Sequence, residues 1–105
     1  MRNNYADQDV EAKFKHFAAT DTDVQAADED QFWVVDWITL SQGSGGGLAQ
    51  ITYGDDDTVV WAADLPADDI DHIIFGDGLY ENGKTKNRKL RVVLPSNCKA
   101  TIRYR

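Results

Sequence analysis

The sequence is poor in the residues that build disulfide-bonded, zinc-binding and membrane-spanning proteins. Its 105 residues include one cysteine, one methionine and two prolines. Cys98 therefore has no partner for an internal disulfide, and no Cys/His spacing matches a zinc site. No run approaches the roughly eighteen apolar residues of a transmembrane helix, and residues 1–7 lack the apolar stretch of a signal peptide. We expect a soluble chain, made in a cytoplasm, without metal, cofactor or membrane contact.

The length indicates a single domain over residues 1–105. It is close to the commonest domain size, which leaves no room for a two-domain enzyme with a cleft between its domains. Apolar residues make up 42% of the chain and include three tryptophans, enough for a hydrophobic core despite the high charge.

Charge is distributed unevenly along the chain. Residues 1–81 contain all 18 acidic residues and 3 of the 11 basic ones, a formal charge of −15, whereas residues 82–105 carry +8. This polarity makes nucleic acid an improbable partner. It favours a partner with the complementary pattern, including another copy of the chain.

Alternating apolar residues predict an all-β fold of about eight short strands. Val10, Phe14, Phe17 and Ala18 also fit one face of a short N-terminal helix within residues 6–18, but the turn signal at 20–23 favours a strand. Turn signals recur at the spacing typical of an antiparallel β-sandwich, a jelly roll or a barrel. The expected strands are 12–17, 24–27, 32–40, 48–53, 58–63, 70–75, 90–94 and 99–105.

The strand 32–40 carries large apolar residues on both faces. Strict alternation places Trp33, Val35 and Trp37 on one face, opposite Ile38 and Leu40. If one face covers the core, the other is either covered by a loop or buried against another subunit. Trp33, Val35 and Trp37 are therefore candidate interface residues.

A basic segment follows the last acidic residue and supplies the other candidate interface residues, Lys84, Lys86, Arg88 and Lys89. Such a run can bind phosphates, but Tyr80 is the only aromatic residue close by for stacking bases. We interpret the segment as a hairpin loop that contacts the acidic surface of a neighbouring subunit or of a capsid protein.

No motif predicts catalysis. Gly78–Thr85 has the spacing of a phosphate-binding loop, but the β-rich segment that follows leaves no room for the helix such a loop requires. The acidic clusters 55–57 and 68–72 lack the ligand pattern of a calcium loop and are interpreted as solvated turns. The serines and Cys98 have no evident base, so we expect no enzyme activity.

The order of these elements resembles small jelly-roll proteins encoded by tailed bacteriophages, including head decoration or cement proteins. The resemblance rests on 17–27, on the strand and glycine loop 32–47, and on 49–53, 90–96 and 101–105. It implies two antiparallel sheets and a virion protein, made in the host cytoplasm, that binds the major capsid or another virion protein. Such proteins are often symmetric homo-oligomers, here a dimer or trimer, and the resemblance supplies no site residue.

The sequence therefore predicts a non-enzymatic virion structural protein that binds and stabilises an assembled shell. Two alternatives remain. One is an acidic phage-encoded inhibitor or interaction protein that imitates nucleic acid. The other is a carbohydrate-binding β-sandwich with a stacking surface at Trp33, Trp37 or Trp61.

Overall fold

The structure, a computed structural model, describes residues 12–83 and 85–105. These residues form eight β-strands and no helix, so none of them belongs to a helix that could span a membrane. The strands are β1 (Lys13–Phe17), β2 (Asp21–Gln25), β3 (Val35–Gln42), β4 (Gly47–Tyr53), β5 (Thr58–Leu65), β6 (Asp69–Leu79), β7 (Leu90–Val93) and β8 (Cys98–Tyr104).

The strands form two four-stranded sheets in which every pair is antiparallel. Sheet A has the order β1-β8-β3-β6, and sheet B has the order β2-β7-β4-β5. The first strand thus pairs with the eighth, the second with the seventh, the third with the sixth and the fourth with the fifth.

The hydrophobic core lies between the two sheets, as in a β-sandwich. Ile38 and Ile102 from sheet A and Ile51 and Val92 from sheet B are fully buried. Alternate residues of each strand contribute to the core, because successive side chains point to opposite faces. Tyr53 is the largest of the fully buried side chains, and its hydroxyl donates a hydrogen bond to the carbonyl oxygen of Trp33 at 2.7 Å.

The structure confirms the all-β, two-sheet prediction and several of its elements. Strand β1 replaces the helical alternative over residues 13–17, whereas residues 1–11 lie outside the described part of the chain. The predicted hairpin is formed by β4 and β5, whose turn holds Gly54 and Asp57 at positive φ. Both residue types tolerate this backbone conformation at low cost.

Several predicted boundaries were wrong. Strand β2 begins at Asp21, within a segment predicted as a turn, because Asp21 and Asp23 pair with β7. Strand β3 begins only at Val35. Strand β6 continues past its predicted end at Phe75 to Leu79, and its last part is irregular: Gly76 and Gly78 adopt positive φ, and the register with β3 shifts there.

The connection after β6 also differs from its prediction. Residues 80–89 link β6 of sheet A to β7 of sheet B, so they cross between the sheets instead of forming a hairpin loop. No described residue of this connection is helical, which removes the helix that a phosphate-binding loop at Gly78–Thr85 would need.

Candidate protein-binding surface

The outer face of sheet A carries most of the exposed apolar side chains of the sheet. Phe14, Ile70 and Ile74 are 63%, 72% and 68% exposed, and they belong to the two edge strands, β1 and β6. Large apolar side chains gathered on one face are typical of interaction sites. We call this surface the outer face of sheet A; it consists of Phe14, His16, Trp37, Thr39, Ile70, His72, Ile74, Thr101 and Arg103.

Two histidines and two threonines form one continuous row across all four strands. The strand register places His16 beside Thr101, Thr101 beside Thr39, and Thr39 beside His72. Hydrogen bonds join His16 Nδ1 to Thr101 Oγ1 at 2.7 Å and His72 Nδ1 to Thr39 Oγ1 at 2.6 Å. Each imidazole is therefore held by its Nδ1 atom, which fixes the ring against the sheet.

The neighbouring row is aromatic and cationic. The guanidinium of Arg103 lies 5.9 Å from the ring centroid of Phe14, and the Phe14 and Trp37 ring centroids are 6.0 Å apart. Trp37 also contacts the His72 ring at 5.1 Å, linking the two rows. These contacts hold flat rings over the middle of the sheet, between the exposed apolar residues of its edges.

A bulge in β3 explains why only one of three candidate interface residues reaches this face. The register shifts between Val35 and Trp37 in the pairing of β3 with both neighbours. Trp33 is 3% exposed and Val35 is fully buried, whereas Trp37 is turned outward. The prediction that these three residues share one face was wrong, because an extra residue on one strand reverses the alternation.

Asp36 occupies the bulge and is held by arginine. Its Oδ1 accepts a hydrogen bond from Nε of Arg105 at 2.9 Å, and its Oδ2 lies 3.8 Å from Nε of Arg103. The Asp36 side chain is 16% exposed. Asp36, the charged residue within the apolar run 32–40, is therefore a mostly buried partner of the arginines in and directly after β8.

The basic segment binds acidic residues of its own chain. Arg88 contacts Asp56 at 2.6 Å and Glu81 at 2.9 Å, and Lys89 lies 3.5 Å from Asp55 and 3.6 Å from Asp23. Among the described residues, Lys86 is exposed and forms no ion pair, and Lys84 lies outside them. Two of the four candidates in this segment thus already have partners.

Arg91 extends the same cluster along the outer face of sheet B. It pairs with Asp21 and with Asp57, the latter at 3.1 Å. The hydrogen bonds that Arg91 donates to Asp21 raise the pKa of Arg91, and those that Arg88 donates to Glu81 and Asp56 raise the pKa of Arg88. The bond from Arg88 lowers the pKa of the Asp56 carboxyl. The acidic turn 55–57 is therefore a structural counter-charge for the basic segment.

The remaining residues noted in the sequence do not assemble into a reactive site. Cys98 is buried in the core, and that burial raises the pKa of its thiol. Within the described part of the chain, no three histidine, cysteine or acidic residues come close enough to hold a metal ion. His72 is exposed, and its Nδ1 is hydrogen-bonded to Thr39 Oγ1.

Phe14, His16, Ile74 and Arg103 belong to the outer face of sheet A and were not identified from the sequence. The alternation of β1 and β6 contained the relevant signal. Phe14 and His16 lie on one face of β1, and Ile70, His72 and Ile74 lie on one face of β6. Choosing the outward parity required knowing that Phe17 and Ile73 face the core.

Among the described residues, the outer face of sheet A is therefore apolar and aromatic. The charged cluster around Arg88 and Arg91 is instead paired with acidic residues of the same chain. Comparison of the chain with models of protein families, with curated protein sequences and with solved structures gives no match.

Proposed function

We propose that the chain is a non-enzymatic virion structural protein that binds an assembled shell through the outer face of sheet A. The observation that carries this proposal is the exposure of Phe14, Ile70 and Ile74 on one sheet, around the fixed ring of Trp37. A partner that covers this face gains the free energy of removing apolar surface from water, about 25 cal/mol per Å².

The strand orders support the virion part of the proposal. Orders of β1-β8-β3-β6 and β2-β7-β4-β5 are consistent with one long hairpin of four strand pairs wound into a jelly roll, an architecture used by viral capsid proteins. The resemblance of the sequence to bacteriophage decoration proteins points to the same class. A fold shared by many functions carries less weight than the surface itself.

The mechanism we propose is mechanical. A sandwich that contacts two adjacent shell subunits binds the assembled shell more tightly than the separate subunits, and it therefore stabilises the shell by mass action. Several copies on one particle would multiply weak contacts through their effective concentration.

The alternatives have less support. Arg88, Lys89 and Arg91 neutralise acidic groups that an inhibitor imitating nucleic acid would present to its target. Of the three tryptophans that a carbohydrate-binding surface could use, Trp33 is buried and Trp61 packs edge-on against Phe75 at 5.7 Å, so that only Trp37 is turned outward.

Sedimentation of a lysate of the source system through a density gradient tests the proposal. The chain should travel with megadalton particles, and Ile74→Glu should release it, because a charge would then lie in the contact. Val59→Glu is the matched control, since Val59 is 49% exposed on the edge strand of the other sheet. A wild-type chain that remains at the top of the gradient overturns the proposal.

A further inference from the structure

The two edge strands of sheet A carry opposite charges. Strand β1 contributes Lys13 and Lys15, and β6 contributes Asp69 and Asp71. None of these four side chains forms an ion pair with another described residue. Within the described residues, each side of the sheet therefore ends in a backbone edge that pairs with no strand and carries charges without an ionic partner; the Lys13 ammonium lies 5.9 Å from the ring centroid of Trp33.

The charges of both edges lie on the same side of the sheet. Lys13 and Lys15 pair in register with Tyr104 and Ile102, which face the core. Asp71 pairs with Leu40 and Asp69 with Gln42, which face it as well. All four charged residues thus lie on the inward side of their strands, at the margin of the sandwich.

The outward side of the same two strands is apolar. Phe14 lies on β1, and Ile70 and Ile74 lie on β6, all more than 60% exposed. If β1 of one copy paired with β6 of another, apolar residues would meet on the outer side and opposite charges on the inner side. Pairing two β1 strands or two β6 strands would bring like charges together, which is unfavourable.

The strand directions permit this continuation without distortion. Sheet A has four strands that alternate in direction, so β1 and β6 run in opposite directions. A second copy placed beside β6, with its outer face on the same side, therefore presents β1 antiparallel to β6. The extended sheet keeps the antiparallel ladder and its hydrogen-bond pattern.

We propose that a second copy of this chain docks its β1 strand against β6, with Lys13 opposite Asp71, Lys15 opposite Asp69 and Phe14 opposite Ile70. The contact is heterologous, because each copy uses a different edge, so repeated contacts form a ring if the rotation closes. Partial desolvation and the nearby Asp69 carboxyl raise the pKa of Asp71. A cationic neighbour would offset the repulsion between these two carboxylates. The inference does not rest on the proposed function, as it concerns the purified chain alone.

Charge reversal on each edge, with sedimentation equilibrium as the measurement, tests the proposal. The purified chain should associate as its concentration rises. Lys13→Glu/Lys15→Glu should weaken association at least tenfold, and Asp69→Lys/Asp71→Lys should do the same. An equimolar mixture of the two variants should regain association, because every edge then meets an edge of opposite charge.

A matched control carries the same change of charge elsewhere. Glu29→Lys/Asp64→Lys alters two exposed residues that form no ion pair with another described residue and belong to neither edge strand of sheet A, and it should associate like the wild type. A wild-type chain that stays monomeric overturns the proposal, as does a mixture of the edge variants that fails to associate although each variant is folded by circular dichroism.

Cysteine cross-linking tests the register. A mixture of Phe14→Cys and Ile70→Cys chains should form a mixed disulfide, since directly opposed residues lie within the roughly 4.4–6.8 Å that a disulfide spans between Cα atoms. Phe14→Cys with Ile74→Cys is the control, because four residues shift the position by about 13 Å along the strand. The native Cys98 is 1% exposed, which limits background. Equal cross-linking in both mixtures overturns the register.

Discussion

The carboxylate of Asp36 and the guanidinium of Arg105 are hydrogen-bonded at 2.9 Å although 69 residues separate them in the sequence. Their strands are joined nearby by two backbone hydrogen bonds between Val34 and Arg105, at 2.8 and 2.9 Å. The pair connects the start of β3 to the residue that follows β8. It therefore fixes the bulge that separates the buried Trp33 from the outward Trp37.

Asp36→Ala should lower the free energy of unfolding by about 1–3 kcal/mol, because it leaves the Arg105 guanidinium without its acceptor and removes the ion pair with Arg103. Asp36→Asn should cost less, since the amide oxygen can still accept a hydrogen bond. Urea unfolding followed by tryptophan fluorescence measures both. Asp30→Ala, in an exposed turn, is the control; a loss for it as large as that for Asp36→Ala would contradict the assignment.

Arg88→Ala should destabilise the protein by about 1–2 kcal/mol, a value discounted for the partial exposure of its ion pairs. Arg88 donates hydrogen bonds to Glu81, Asp56 and the carbonyl oxygen of Tyr53, and so joins three segments. Lys86→Ala should change stability by less than about 0.5 kcal/mol, as expected at an exposed site without such contacts. Thermal unfolding of the two variants compares them, and equal melting temperatures would refute the structural role of Arg88.

Gly54→Ala should be more destabilising than Gly45→Ala. Both glycines adopt positive φ, at 79° and 86°, so the backbone penalty is shared, about 1 kcal/mol. A Cβ at Gly54 would overlap the Arg88 guanidinium, whereas a Cβ at Gly45 meets nothing. The difference between their unfolding free energies therefore measures the displacement of Arg88. Introducing Arg88→Ala should abolish that difference, and a difference that persists would assign it to another contact.

Stability should fall as the pH rises above about 10, the pKa of tyrosine in an unfolded chain. Burial, with a smaller contribution from Glu81, raises the pKa of Tyr53 in the folded protein. Because the pKa of Tyr53 is higher in the folded protein, the unfolded chain ionises first as the pH rises. The contribution of Tyr53 to stability is therefore complete below the unfolded-state pKa and is lost at higher pH. Urea unfolding between pH 8 and 11 measures the slope.

Tyr53→Phe should flatten this dependence while lowering stability at neutral pH by about 1 kcal/mol, through loss of the bond to the carbonyl of Trp33. Burial also raises the pKa of Tyr104, so part of the slope should remain. A variant with the full wild-type slope would show that Tyr53 is not the group responsible.

Several elements could be predicted because their signals are local. The turn 54–57 combines glycine with aspartates between two β-rich runs, and the hairpin of β4 and β5 follows from that combination. The turn signal at 95–97 likewise predicts the end of a strand at Leu94, one residue beyond the end of β7 at Val93.

The candidate site was less predictable, because it depends on register and on contacts between distant residues. The bulge between Val35 and Trp37 turns Trp37 outward, whereas Val35 and the preceding Trp33, the other two predicted interface residues, lie in the core. The partners of Arg88 lie 7 and 32 residues away in sequence, and no spacing rule identifies them.

The sequence by itself determined that this is a single β-rich chain with strongly separated charges, since composition and period-two alternation require no knowledge of pairing. Only the tertiary structure decided which face of each strand meets the core and which charges neutralise each other. The physical reason is that side-chain direction changes with every one-residue shift, while ion pairs form between neighbours in space. Strand pairing therefore left Phe14, Ile70 and Ile74 exposed together on one sheet and placed Arg88 beside Asp56 and Glu81.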